Sequence, residues 1–266
     1  MNKKQLTRYS ILLTLIMIPL ALSACGISKA SNAGLGMGWV HETPVEPHAG
    51  EWKAMEMEDG KSFSVDAPPA NDSEITKAEL EELHEMAANR TAEDIELINH
   101  WASGIVSPNS HWFAITEEMI KKYKLTPPAA ARVHAAVANA IYTASTAVYE
   151  AKYHYLRPRP TDLDPTLELP EGFKVPPHPS YPSGHSATAE AASTMLSYIF
   201  PHESAAFEKM SSDASISRMK AGIHFRSDID AGNKLGQEVA NDIIEKMKDD
   251  NAPLQYMEMS HGPAGH

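Results

Sequence analysis

Three short segments constrain this chain more than any other feature, because they make joint chemical sense only if the fold brings them together. The first has the pattern K-x6-R-P and runs from residue 152 to 160. The second is P-S-G-H at 182–185, and the third is S-R-x5-H-x3-D at 217–228. The fixed positions of these patterns include three cations and two histidines, so we expect a fold that gathers all three segments around one cavity.

The cations of these segments predict a bound anion. Placing Lys152, Arg159 and Arg218 within ~5 Å of one another would cost roughly 3 kcal/mol per pair at an effective dielectric constant near 20, unless a negative charge lay between them. A tetrahedral or bipyramidal oxyanion supplies that charge. We therefore predict an oxyanion site.

The P-S-G-H segment predicts the start of a helix. Ser183 precedes an apolar, alanine-rich run and has the position of an N-cap. The backbone N–H groups that follow a cap point out of the helix end and favour negative charge. Gly184 allows the backbone to approach a ligand closely. This helix start is therefore a second source of oxyanion binding.

The two histidines predict the chemistry. His224 and Asp228 are four residues apart, so they share one face if that segment is helical. A carboxylate there would fix the imidazole tautomer and raise its basicity, which gives His224 the properties of a nucleophile. His185 is then left to protonate or deprotonate the group that leaves the oxyanion.

With all three segments present, the chain resembles the superfamily that unites type 2 phosphatidic acid phosphatases, bacterial acid phosphatases and vanadium haloperoxidases. Upstream, His111-Trp112 and the stretch Arg132–Tyr142 are similar to its soluble, haloperoxidase-like bacterial branch. The resemblance covers roughly residues 72–248 and implies an all-α helical bundle.

The resemblance also implies a role for each matched residue. His224 would bond to phosphorus or vanadium, His185 would be the acid and base, and Asp228 would support His224. The oxyanion would be held by the remaining matched positions, which are Lys152, Arg159, Ser183, Gly184 and Arg218.

These residues do not separate two reactions, because phosphoryl transfer and vanadate binding need the same positioning and electrostatic clamping. Our first hypothesis is a phosphomonoester hydrolase that forms a phosphohistidine at His224 and needs no metal or cofactor. The alternative is a haloperoxidase that binds vanadate through His224 and oxidises bromide or chloride with peroxide. A third hypothesis, a non-catalytic oxyanion-binding lipoprotein, is disfavoured because His185, Arg218 and His224 are all present.

Three other residues bear on this choice. His178 falls where bromoperoxidases of the superfamily also carry a histidine, and it either supports the site from outside the direct contacts or fills a proline-rich loop. Thr143 stands where many haloperoxidase-like bacterial members have an acidic residue. Arg157 is interpreted as a surface residue or as one that supports the site from behind.

The charge balance limits the kinds of molecule that the chain is expected to bind. The chain has 266 residues, with 23 basic and 35 acidic ones and a net charge of −12. Nucleic-acid binding needs a basic face, so this balance disfavours it. We expect a small-molecule partner, either a phosphate ester or halide with peroxide.

The N-terminus predicts export. Residues 1–24 begin with Lys3, Lys4 and Arg8 and continue as an uncharged run that is too short for a comfortable membrane span, as in a signal peptide. The residues that end this section, 22–25, are similar to a bacterial lipobox, and Cys25 is the single cysteine of the chain. We predict a lipoprotein cleaved before Cys25 and held on the extracytoplasmic side of the cell membrane by its lipid anchor.

Composition divides the remaining chain. Residues 25–70 are rich in Gly, Pro and acidic residues and are predicted to be a flexible tether, 71–250 to be the helical domain, and 251–266 to be a disordered tail. The proline-rich segment 161–182 is predicted to be an irregular loop over the pocket. The main helices are predicted at 129–152, 184–200, 203–221 and 224–248.

Overall fold

The computed structural model describes residues 38–39, 59–102, 107, 109–248 and 255–257. Within these ranges the chain forms helices and no strand, which confirms the all-α prediction. No described helix is both long enough and apolar enough to span a bilayer. The predicted signal peptide, 1–24, and the lipidation site Cys25 lie outside the described residues.

The described α-helices are α1 (Glu74–Ala88), α2 (Ala92–Ala102), α3 (Ser110–Lys122), α4 (Pro127–Tyr155), α5 (Pro160–Leu163), α6 (Gly184–Ile199), α7 (Ser204–Lys220) and α8 (Arg226–Met247). Short 3₁₀ turns at Gly60–Ser62 and Pro201–Glu203 accompany them.

The longest helix, α4, carries the first cation of the site. It begins at Pro127, whose fixed φ suits the first position of a helix, and continues through the alanine-rich run that predicted it. It ends where Leu156 takes a left-handed conformation with φ of 53° and Pro158 follows. Lys152 therefore lies in the last helical turn, beside the extended segment that carries Arg159.

The core forms around α6, which packs against α4, α7 and α8. Its buried face is largely alanine, so neighbouring helices come close. On α8, a Cβ at Gly236 would lie 2.2 Å from the carbonyl oxygen of Ala187, and one at Gly232 would lie 2.5 Å from that of Ser183. The two glycines are therefore required for the contact that brings the start of α6 to the start of α8.

The last helix begins later than predicted, at Arg226 and not at His224. The Asp228 carboxylate accepts the backbone N–H of Phe225 at 3.0 Å and so caps the helix at that point. His224 consequently precedes α8. Its contact with Asp228 arises from chain geometry at the helix start and not from two residues on one helical face, which corrects the prediction.

The proline-rich loop also differs from its prediction, because it starts with the short helix α5. Pro160 occupies the first helical position, and the Asp162 carboxylate accepts the backbone N–H of Arg159 at 2.9 Å. From residue 164 to 183 the segment is irregular, as expected.

Parts of the segments predicted to be tether and tail lie on the helical domain. The side chains of Tyr155 and Tyr181 donate to the carbonyl oxygens of Val65 and Asp66 at 2.7 and 2.6 Å. At the other terminus, the N–H of Tyr256 donates to the carbonyl of Ile199 at 2.8 Å. The packed body therefore begins before residue 71 and includes residues after 250.

We predict that Gly236→Ala lowers stability by about 1–3 kcal/mol, because the added methyl group overpacks the α6–α8 contact. At an exposed helical position the same change would stabilise the protein by roughly 1 kcal/mol. The sign of the change in unfolding free energy therefore shows whether this position is tightly packed. Chemical denaturation measures the effect. Gln237→Ala, at the exposed neighbouring position, is the control and should leave stability within about 0.5 kcal/mol; equal stability of the two variants would contradict the close approach.

Candidate active site

A cavity of about 170 Å³ lies where the three segments meet. The predicted site residues that line this cavity are Lys152, Arg159, Gly184, His185, His224 and His178. Ser183, Arg218 and Asp228 are buried directly behind this lining. The remaining wall is formed by Asn109, Ser145, Val148, Tyr149, Pro176, Thr188 and Ile223.

Lys152 reaches the cavity from the end of α4. Its Nζ donates to the carbonyl oxygens of Pro179 and Ser180 at 2.6 and 2.9 Å, and the side chain is fully buried. Burial, and then the charge of Arg159, lower the pKa of the ammonium group well below its usual value. An ammonium has three N–H donors, so one remains after the two carbonyls.

Arg159 links most of the cavity wall. Its Nε donates to the carbonyl of His178 at 3.1 Å, and its Nη1 donates to the carbonyl of Ile223 at 2.7 Å and to Nε2 of His224 at 3.0 Å. Its Nη2 lies 3.1 Å from Nδ1 of His178. Burial lowers the pKa of the guanidinium to about 10.

The tautomer of His224 follows from its two neighbours. A guanidinium can only donate, so Nε2 of the neutral ring is the acceptor toward Arg159 and the proton is on Nδ1. That Nδ1–H donates to Asp228 Oδ2 at 3.0 Å. Burial first, and then the charges of Arg159 and Lys152, lower the pKa of His224 well below its usual value. The ring is therefore neutral and presents a lone pair to the cavity.

His185 lies in the first turn of α6, where its ring donates a hydrogen bond to the backbone of Trp101 and is oriented by it. Its Nε2 is buried and has no hydrogen-bond partner among the described residues. Burial, followed by the charge of Arg218, lowers its pKa to about 3. A polar nitrogen left in this state is costly unless a ligand or water reaches it.

The start of α6 is fixed by its cap. Ser183 accepts the backbone N–H of Ser186 at 3.3 Å and its hydroxyl at 2.9 Å, so it is the N-cap that the sequence predicted. The Ser183 N–H donates to the carbonyl of Asp228 at 2.8 Å. The P-S-G-H segment is thereby attached to the segment that carries His224.

Arg218 completes the cation set from the last turn of α7. Its Nε donates to the Ser217 hydroxyl and its Nη2 to the carbonyl of Ile98, both at 2.9 Å. Burial, and then the charge of Arg159, lower its pKa to about 10. It acts on the cavity through its charge beside His185 and does not line the cavity.

The buried cations in and around the site differ in whether they pair with carboxylates. In the part of the chain that the structure describes, Lys152, Arg159 and Arg218 bond to carbonyls, a hydroxyl and histidines, and none of them forms an ion pair with a carboxylate. Arg157, equally buried, contacts the carboxylates of Glu79 and Asp228 at 3.1 and 2.8 Å. Uncompensated buried cations are strongly unfavourable, so the electrostatics of the cavity favour an anion.

The sequence alone left the positions of Arg157 and His178 open. Arg157 is buried behind Asp228, so the surface alternative is wrong and the supporting alternative holds. Glu79 of α1 was missed, because a glutamate in a charged amphipathic helix carries no signal of burial. His178 lines the cavity, with its ring 5.6 Å from that of Tyr149, and Thr143 is buried away from it.

Comparison with known proteins agrees with this geometry. Residues 132–241 match the model of the PAP2 superfamily. A non-specific acid phosphatase of Providencia stuartii is 29% identical over 145 residues, which are 50% of this chain and 58% of that protein.

Among solved structures, a bacterial vanadium-dependent iodoperoxidase superposes with a TM-score of 0.69 at 23% identity, covering 80% of this chain and 61% of that one. An apo bacterial vanadium-dependent chloroperoxidase gives 0.65 at 15% identity, covering 79% and 57%. The chain thus spans about three fifths of the length of these relatives. Residues 132–241 are therefore similar to the PAP2 superfamily, and the described chain shares the fold of these solved structures.

Proposed function

We propose that this chain is a phosphomonoester hydrolase that acts through a phosphohistidine at His224. The observation that carries the proposal is the set of three buried cations without a carboxylate beside a histidine whose Nε2 is held as an acceptor. The similarity to an acid phosphatase supports it. The reaction also requires no cofactor beyond the residues of the cavity.

A phosphate group would replace internal partners of the cations. Arg159 now donates to Nε2 of His224, so it must transfer that hydrogen bond to a phosphate oxygen before the nitrogen can react. Lys152 has one N–H left, and the free N–H groups at the start of α6 face the same cavity. These donors would neutralise the charge that spreads over the phosphoryl oxygens during transfer.

In the first step, the Nε2 lone pair of His224 forms a bond to phosphorus and the bond between phosphorus and the ester oxygen breaks. The leaving oxygen takes a proton from His185 Nε2, the nitrogen without another partner in the described residues, after the monoanionic ester has passed its own proton to that nitrogen. The imidazole becomes positively charged when it bonds to phosphorus, and Asp228 stabilises that charge through Nδ1–H.

In the second step, water attacks the phosphohistidine. His185, now neutral, accepts a proton from the water as its oxygen bonds to phosphorus, and the bond from phosphorus to Nε2 breaks. Inorganic phosphate takes that proton from His185 and leaves as the monoanion, so both histidines are neutral again. One residue thus serves as acid and then as base, as microscopic reversibility requires.

The alternative is a vanadium-dependent haloperoxidase, and His178 favours it. Its ring lies on the cavity wall between Arg159 and Tyr149. Bromoperoxidases of the superfamily that this chain resembles also carry a histidine at this position. The cavity fits vanadate for the reasons that it fits phosphate: Lys152 and Arg159 would hold its oxygens and His224 Nε2 would ligate it. When bound, vanadate would supply the Lewis acidity that activates hydrogen peroxide toward halide.

A paired assay of the purified protein tests both functions. We expect hydrolysis of p-nitrophenyl phosphate without added metal, inhibited by vanadate, and no bromination of an organic acceptor with peroxide, bromide and vanadate. His224→Ala should lower kcat by about 10³-fold or more, because the attacking atom is removed. His134→Ala, which changes a half-buried histidine that is paired with Glu117 and does not line the cavity, is the control. Bromination without hydrolysis would favour the alternative, and phosphate binding without either reaction would favour a binding protein.

The pH profile tests the role of His185. The free enzyme holds His185 neutral with a pKa of about 3, so the proton for the leaving group enters with the monoanionic ester, whose second pKa is about 6. We expect kcat/KM to fall about tenfold per pH unit above that value. Burial and the nearby cations lower the pKa of His224 well below its usual value, so we expect activity to persist below the pH at which a free imidazole becomes protonated.

His185→Gln should lower kcat about 10²- to 10⁴-fold while the inhibition constant for phosphate changes only a few-fold. Rates for substrates with better leaving groups should suffer less, because those groups need no proton. An unchanged kcat in this variant would show that another group supplies the proton.

We further propose that the enzyme is exported and anchored by lipid on Cys25. The supporting observations are the signal-like residues 1–24 and the lipobox that ends at the chain's single cysteine. Expressed in a bacterium with radiolabelled palmitate, the wild-type protein should carry label and partition with membranes. Cys25→Ser should lose both properties while retaining phosphatase activity. Label in the Cys25→Ser protein would refute the anchor.

A further inference from the structure

Arg157 occupies the centre of a buried charge network outside the cavity. Its guanidinium is fully buried and lies 4.0 Å from the centroid of the Phe225 ring. Nη2 donates to Glu79 Oε2 at 3.1 Å, and Nη1 donates to Asp228 Oδ1 at 2.8 Å and to the Ser227 hydroxyl at 2.7 Å. One cation is thus held between two carboxylates from α1 and α8.

The two oxygens of Asp228 have separate tasks. Oδ1 accepts from Arg157, whereas Oδ2 accepts from His224 Nδ1–H and from the Phe225 N–H, both at 3.0 Å. Because Arg157 holds Oδ1 on one side, the carboxylate plane is fixed with Oδ2 toward the imidazole. Arg157 therefore reaches His224 through a single intervening side chain.

Glu79 holds the opposite side of the guanidinium. Its Oε1 accepts the Ser227 backbone N–H at 2.7 Å, and its Oε2 accepts the Ser227 hydroxyl at 3.0 Å. The same glutamate thus contacts Arg157 and the first turn of α8. Together with the bond from Arg157 Nη2 to Glu79, these contacts hold the guanidinium beside Asp228.

We infer that Arg157 is a positioning residue for His224: it orients the Asp228 carboxylate so that the imidazole keeps its proton on Nδ1 and its lone pair on Nε2. Without Arg157, Asp228 Oδ1 loses the cation that holds it, so the carboxylate can rotate and Oδ2 no longer fixes the imidazole proton on Nδ1. The proton can then move to Nε2, where it blocks attack. The inference rests on the proposed function, in which Nε2 is the nucleophile.

The test compares Arg157→Gln with wild type in two readouts. We expect kcat for p-nitrophenyl phosphate to fall about 10- to 100-fold, the loss typical for removal of the outer partner of an active histidine, with KM within about threefold of wild type. In ¹⁵N NMR spectra of the histidine rings, with the His224 signal identified by its loss in His224→Gln, Nε2 should gain a protonated population. A fall in kcat with an unchanged His224 tautomer would overturn the inference, as would an unchanged kcat.

Arg226→Gln is the matched control. Arg226 also joins α8 to α1, through Glu82 with Nε–Oε distances of 3.1 Å, but it does not touch Asp228. Its loss should leave kcat within about twofold and the tautomer unchanged. An effect as large as that of Arg157→Gln would mean that any break between α1 and α8 disturbs the site, and the inference would be wrong.

A double-mutant cycle covers the case in which Arg157→Gln does not fold. Arg157→Lys keeps a buried cation but loses the planar fork that serves both carboxylates, so it should lower kcat alone and have little further effect on an Asp228→Asn background. Additive losses would overturn the inference. If the wild-type enzyme hydrolyses no phosphate ester, the proposed function fails, but the NMR comparison still decides whether Arg157 sets the tautomer of His224.

Discussion

Three buried cations that form no ion pair with any carboxylate in the described residues are the constraint on which the rest of this structure depends. Lys152, Arg159 and Arg218 lose most of their hydration, and their neighbours are carbonyl dipoles and neutral rings, which offset that loss only partly. The helices must therefore pack well enough to hold the three groups together. An anion that enters the cavity gains attraction from all of them in a region of low dielectric constant, so binding strength comes directly from the unfavourable arrangement of the free state.

The electric field of these three cations also determines the protonation states of the two histidines. Burial and the nearby cations lower the pKa values of His224 and His185, so the free site holds neutral rings with available nitrogens. A bound dianion opposes the field of the cations, and protonation of His185 becomes more favourable in its presence. In the proposed reaction the substrate would thus help to prepare its own acid, whereas Asp228 holds the proton of His224 on Nδ1, on the other side of the ring.

Sequence predicted the members of the site better than their arrangement. The fixed spacings around Lys152, Ser183 and His224 identified residues that the fold does bring together. Each spacing is a local pattern that can be read from the sequence, and few other sites need this combination of residue types. The start of α8 was misplaced, because the sequence does not reveal that Asp228 caps the helix and holds His224 at once. Glu79 was missed for a related reason: its burial depends on how α1 packs, a tertiary contact without a local pattern.

The two arginines of the R-P-R-P segment illustrate how the fold assigns opposite roles to one residue type. Leu156 ends α4 in a left-handed conformation, and Arg159 lies on extended backbone with φ of −73° and ψ of 157°. Side chains two residues apart would share a face in a regular strand, but the surrounding prolines and turns rotate the chain here. Arg157 consequently points to α1 and Asp228, where carboxylates neutralise it, and Arg159 points into the cavity, where none does. The first cation can therefore serve the permanent structure, while the second remains available to an anion that comes and goes.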